Sequence, residues 1–141
     1  MSTSRFGYAL LGVSYLALAA LGVMLGTIGS FLVPAGIVAG FLGVSTLVAV
    51  AGNLVAGLLG GIGTASVGGA IVPFAGWFAV LFVLNAYSPG GDVVIPGGLP
   101  NDPGVVHAGV TFMLTGLVTS IITIVITSRY TARANRPKSL P

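Results

Sequence analysis

The fold is decided by Pro34–Tyr87, PAGIVAGFLGVSTLVAVAGNLVAGLLGGIGTASVGGAIVPFAGWFAVLFVLNAY, a stretch without one charged residue. Roughly 20 apolar residues at about 1.5 Å each suffice to cross a bilayer, and this run is more than twice that long. A helical hairpin resolves the excess, and glycine must place its turn. Gly60-Gly61-Ile62-Gly63-Thr64 divides the run into helices of about Pro34–Leu59 and Ser66–Tyr87, each long enough to span. A break at Gly52-Asn53 leaves the third segment overlong. Pro34 suits the first turn of its helix, where no hydrogen bond is lost, and Pro73 is expected to kink the third.

Working outward toward the N-terminus, Phe6–Ile28 is a further span, punctuated by Gly29-Ser30. Arg5 and the small residues Ala17-Leu18-Ala19-Ala20 also suit a signal peptide. The apolar run continues past any such cleavage site, however, and signal h-regions hold only about 7–15 residues. It reads as an uncleaved first helix. Toward the C-terminus, Ser88–Asp102 is a loop rich in proline and glycine that carries both acids, Asp92 and Asp102. A fourth helix follows over residues 103–128, with Asp102 as its N-cap and Pro103 at its first position. The tail, 129–141, reads as a disordered basic segment.

Composition agrees with lipid as the main solvent. Of 141 residues 55% are hydrophobic and 5% charged, where a soluble domain carries about 25% charge. The expected class is all-α, a polytopic four-helix membrane bundle with 1–128 as its domain. Without cysteine there are no disulfides, thiol nucleophiles or thiolate metal sites. The net charge of +3 does not indicate nucleic-acid binding, because the bases lie beyond apolar spans: Arg5 before the first, and Arg129, Arg133, Arg136 and Lys138 after the last. By the positive-inside rule both termini face the cytoplasm and Ser88–Asp102 faces outward, in the cell membrane. Tyr8, Tyr87 and Tyr130 fall at span ends, as an aromatic belt places them.

Chemistry inside a bilayer ordinarily needs an ionisable residue in a span, and here only His107, near one edge, qualifies. Small drug/proton antiporters have four helices too, but coupling of their kind needs an embedded carboxylate. No nucleophile is paired with a base, so no enzyme is expected. The spans hold rows of small and hydroxyl residues instead. His107, Thr111, Thr115, Thr119, Thr123 and Thr127 recur every fourth position of the fourth helix, and Ser45, Ala49, Asn53, Gly57 and Gly61 do so in the second. Gly22/Gly26 and Gly36/Gly40 form two GxxxG motifs. Such residues let backbones approach closely and hydroxyls bond across or within helices. Packing is the leading reading of the threonine row, and a polar path for a proton or small solute is the rival. Asn53 is expected to bond a neighbouring helix, with a solute or quinone oxygen as the alternative, and Asn85 to anchor at the interface. His107 with Asp92 and Asp102 makes a weak metal set, and a lone histidine can ligate haem. No ligand spacing repeats and Asp102 already serves as a cap, so an interfacial histidine and no cofactor are expected. Trp77 with Phe74, Phe78 and Phe82 reads as an aromatic face toward lipid or a partner.

The Gly/Ala/Val-rich spans, the compact four-helix layout, the Gly90-Gly91-Asp92 loop and the arginine-rich tail resemble the small, uncharacterised four-span membrane proteins of high-GC actinobacteria. That resemblance implies a bundle and no activity. The functional expectation is a structural or accessory subunit packed against another membrane protein or itself. A threonine-lined transporter or channel is the first alternative, and a cofactor or metal protein centred on His107 the second.

Overall fold

A computed structural model describes residues 3–35, 43–86 and 103–135, with side chains from residue 6 in the first segment to 33 and from 109 in the last. It is an all-α bundle of four helices: α1 (Thr3–Ala35), α2 (Val44–Gly63), α3 (Val67–Ala86) and α4 (Pro103–Ala134). No strand occurs among the described residues. All four helices are long and apolar enough to cross a membrane, and the chain is a multi-pass membrane protein.

Burial is sorted as lipid requires. Phe6, Leu16, Leu47, Leu59 and Phe82 are among many large apolar side chains on the outside, while Ser30, Ser45, Asn53, Thr119, Thr123 and Thr127 are buried. Lipid tails are as apolar as leucine, so helices gain nothing by hiding leucine from them. They gain by bringing backbones close and pairing polar groups, and small and hydroxyl residues do both.

The helices run alternately up and down, and their tightest contacts join helices that run in parallel. Gly22 and Gly26 of α1 meet Pro73 and Trp77 of α3, while Gly57 and Gly61 of α2 meet Thr123 and Thr127 of α4. α2 also packs against both α1 and α3, and α1 and α4 share the least contact. At the centre Trp77 and Phe112 are buried and stand edge to face, with ring centroids 5.8 Å apart. Their rings fill the space left by Gly116 and Gly29 respectively, where a Cβ would strike them. Trp77 is therefore core, not part of a lipid-facing aromatic surface. Only Phe78 and Phe82 keep that exposure.

Several boundaries differ from the sequence expectation. α1 does not stop at Ile28 but runs through Pro34 to Ala35. Ending a helix inside hydrocarbon would strand carbonyls with no water to bond them, so the helix persists and tolerates a proline in its last turn. Accordingly α2 starts at Val44, not at Pro34. α4 continues past Ser128 to Ala134, so the start of the tail is ordered helix. Arginine and alanine are good helix formers, and the Thr131 hydroxyl donates back to the Thr127 carbonyl at 3.0 Å. α3 continues through the buried Pro73.

The α2–α3 turn lies at Thr64–Ser66, with Gly60 and Gly61 still helical. The Ser66 N–H donates to Gly61 and the Ala65 N–H to Ile62, both at 3.1 Å, the pairing of a Schellman motif. Its left-handed position is held by Ala65, at φ 48°. Ser66 then caps α3, its Oγ accepting from the Gly68 N–H at 3.1 Å. One serine thus closes one helix and opens the next.

Candidate functional site

The two rows read from the sequence lie against each other along the α2/α4 seam. On α2, Ser45, Ala49, Asn53, Gly57 and Gly61 are all buried. On α4, Thr119, Thr123 and Thr127 are buried, while Thr111 and Thr115 are half-buried. Residues four apart form one ridge of a helix, so two such rows interlock. A Cβ on Gly57 would lie 2.6 Å from Cγ2 of Thr123, and one on Gly61 would collide with the Thr127 side chain. Each glycine is the hole into which a threonine methyl fits.

The hydroxyls of this row are turned back on their own helix. Thr115 donates to the Thr111 carbonyl and Thr119 to that of Thr115, both at 2.7 Å, and Thr123 donates to Thr119. Ser120, one position off the row, donates to Gly116 at 2.8 Å. Asn53 behaves in the same way: its Nδ2 donates to the Ala49 carbonyl at 2.9 Å, not to a neighbouring helix as expected. The amide thus satisfies one of its donors within its own helix. Thr127 breaks the series, because its buried Oγ1 has no partner.

The α1/α3 seam is built from backbone. A Cβ on Gly22 would collide with the Pro73 carbonyl oxygen, one on Gly26 would lie 3.0 Å from that of Trp77, and one on Gly76 2.5 Å from that of Ala19. Gly60 and Gly69 complete the pattern beside the turn, each so placed that a Cβ would strike the other's carbonyl oxygen. Pro73 has no N–H to offer Gly69, the residue four before it. The freed Gly69 carbonyl faces the Cα–H of Gly60 instead, a weak hydrogen-bonding contact.

Gly36 and Gly40, the second GxxxG, lie outside the described residues, as do Asp92 and Asp102. His107 lies on α4, described there only as helical backbone. Among the described residues no group of three or more His, Cys, Asp or Glu comes together. Asn85 is exposed near the end of α3.

Sequence reasoning missed Gly69, Gly76 and Gly116, none of which stands in a row of four-residue spacing, and read Gly29 as a helix end where it lies inside α1 and makes room for Phe112. It also missed the unpartnered Nε1 of the buried Trp77. Among the described residues, grooves lie on the outer surface of the bundle. One lies between α1 and α3 at Thr27, Val80 and Leu84, and another between α2 and α4 at Val50, Leu114 and Thr115. A third, at Ser14, Leu18, Leu59 and Thr64, marks the level of the α2–α3 turn on α1. Since α1 is antiparallel to α2, Phe6–Val13 stands beyond that turn, with Phe6, Tyr8, Leu10 and Val13 largely exposed.

No family model, no curated protein and no solved structure matches the chain.

Proposed function

We propose that the chain is a non-catalytic structural or accessory subunit of the cell membrane, with both termini cytoplasmic, which associates with another membrane protein or with a second copy of itself. One observation carries this reading. Along the α2/α4 seam Thr115, Thr119 and Thr123 spend their hydroxyls on their own helix, the Thr127 side chain is packed against Gly61, and the gaps between them are closed by glycine contacts. A polar path for a solute needs free hydroxyls facing a wet lumen, and dry constrictions stop conduction. What remains available is the outside of the bundle, and α1 projects its apolar Phe6–Val13 segment past the hairpin turn, with Phe6, Tyr8, Leu10 and Val13 largely exposed.

The absence of cysteine makes the test clean. A Leu10→Cys variant, cross-linked in native membranes with a bifunctional thiol–amine reagent, should give one discrete adduct, either a dimer or a complex with one partner. A chain that stays monomeric while a lipid-facing control position gives the same result would remove the reading. A proteoliposome flux assay covers the rival. Flux in the parent that disappears in a folded Thr115→Val/Thr119→Val variant would establish a transporter instead.

A further inference from the structure

We infer that the end of α4 carries a binding site for the phosphate headgroup of an anionic phospholipid, formed by Arg129, Tyr130 and Arg133 above Ile126. These four residues line one shallow groove on the outer face of the helix. The arginines are one turn apart on the same face, so both guanidinia can reach one oxyanion. A planar guanidinium presents paired N–H donors that match phosphate, a geometry lysine lacks. Tyr130 is half exposed, and Ile126 lies one turn nearer the bundle centre with similar exposure. A headgroup held by the arginines would therefore lay its acyl chain along Ile126.

The depth of the groove is fixed by the packing. Thr127 meets Gly61, three residues before the α2–α3 turn, so Arg129 and Tyr130 stand level with that turn. There the backbone leaves the helical pattern and its polar groups need an aqueous or headgroup environment. α4 at 32 residues is about 48 Å long, against about 30 Å of hydrocarbon, so its end reaches headgroup depth and beyond.

Charge complementarity selects the ligand. The described helix ends on this side of the bundle carry Arg5, Arg129 and Arg133, and both acids of the protein fall in sequence between α3 and α4, outside the described residues. Among the described residues no acidic side chain stands beside the pair. A phosphodiester with an acyl chain satisfies the arginines, the phenol and the isoleucine together, whereas a free phosphate satisfies only the first two.

The test is native mass spectrometry of the full chain in mild detergent, titrated with phosphatidylglycerol or with phosphatidylcholine of the same acyl chains. The parent should retain the anionic lipid in preference. Each base near an anionic surface contributes about 1 kcal/mol, so the Arg129→Gln/Arg133→Gln variant should bind phosphatidylglycerol about thirty-fold more weakly. Both side chains are exposed, and an unchanged melting temperature verifies the fold. An Arg129→Lys/Arg133→Lys variant should keep part of the affinity through charge alone, and Arg5→Gln should keep nearly all of it. Equal retention of the two lipids, or an unaffected glutamine variant, would overturn the site. Displacement of the lipid by an equal concentration of inorganic phosphate would overturn its assignment to a lipid.

Discussion

A Cβ is a small addition, and its effect at a given glycine depends on what it would touch. At Gly22 it would meet the Pro73 carbonyl, which is backbone and cannot rotate away. At Gly7 and Gly12 it would meet nothing within 4 Å. Gly22→Ala should therefore destabilise by about 1–3 kcal/mol through overpacking, whereas Gly12→Ala should stabilise by roughly 0.5–1 kcal/mol through helix propensity. Denaturant titration in detergent micelles measures both, and equal effects at the two sites would contradict the α1/α3 seam. Ala65 presents the opposite case. Its left-handed backbone costs about 1–2 kcal/mol for a residue with a Cβ, while glycine returns part of that through its freer unfolded chain. Ala65→Gly should raise stability by roughly 0.5–1 kcal/mol. A loss of stability would mean that the turn gains from its methyl group.

At the scale of a helix, α4 separates hydroxyls that are satisfied from one that is not. Thr115, Thr119 and Thr123 donate to carbonyls within the helix. Replacing Thr115 and Thr119 by valine removes bonds worth on the order of 0.6 kcal/mol each and leaves the backbone ladder whole. The buried Thr127 hydroxyl has no partner, and burying such a group costs about 1–3 kcal/mol. Thr127→Val keeps the shape against Gly61 and should be neutral or stabilising, while Thr123→Val should cost a little. Chemical denaturation of the two single variants gives the order, and a reversed order would mean that Thr127 is bonded. The helix scale is also where the sequence was most legible. A period of four is visible in the letters alone, so both rows of the seam could be read from it. Gly60 and Gly61 were misleading for a physical reason. Glycine permits a turn and also permits close approach, and the letters do not say which. Here Gly60 and Gly61 serve approach, and the turn falls to Thr64–Ser66 with an alanine in the left-handed position.

Four spans and their alternation follow from length and hydropathy, because a bilayer admits few ways to place long uncharged runs. The rows and the GxxxG motif of α1 were legible, but their pairing was not, because a face suited to close packing does not name its partner. Gly22 and Gly26 meet backbone of Pro73 and Trp77, and Gly57 and Gly61 meet side chains of Thr123 and Thr127. The groove at Arg129 was not legible either, because the tail after Ser128 looked too polar to remain helical. For the molecule as a whole, the proposed orientation predicts a periplasmic-type reporter signal from a fusion near Ser88 and a cytoplasmic one near Arg136. A cytoplasmic signal near Ser88 would reverse the placement of the arginine groove as well. α2 and α3, at 20 residues each, are about 30 Å long and match the hydrocarbon thickness, whereas α1 and α4 overshoot it.

The order of pairing bears on how the chain is made. Helices leave the ribosome in sequence, yet the seam of α1 is completed only by α3, and that of α2 only by α4. A nascent chain with two spans inserted therefore holds a glycine face on α1 and a serine–asparagine–glycine face on α2, both turned toward lipid. The first face is covered when α3 arrives. The second waits for α4, so a chain that ends after Ala86 leaves Asn53 without the helix that buries it. Of the four helices, α4 is therefore the one that closes the bundle, covering the Asn53–Gly57–Gly61 face of α2.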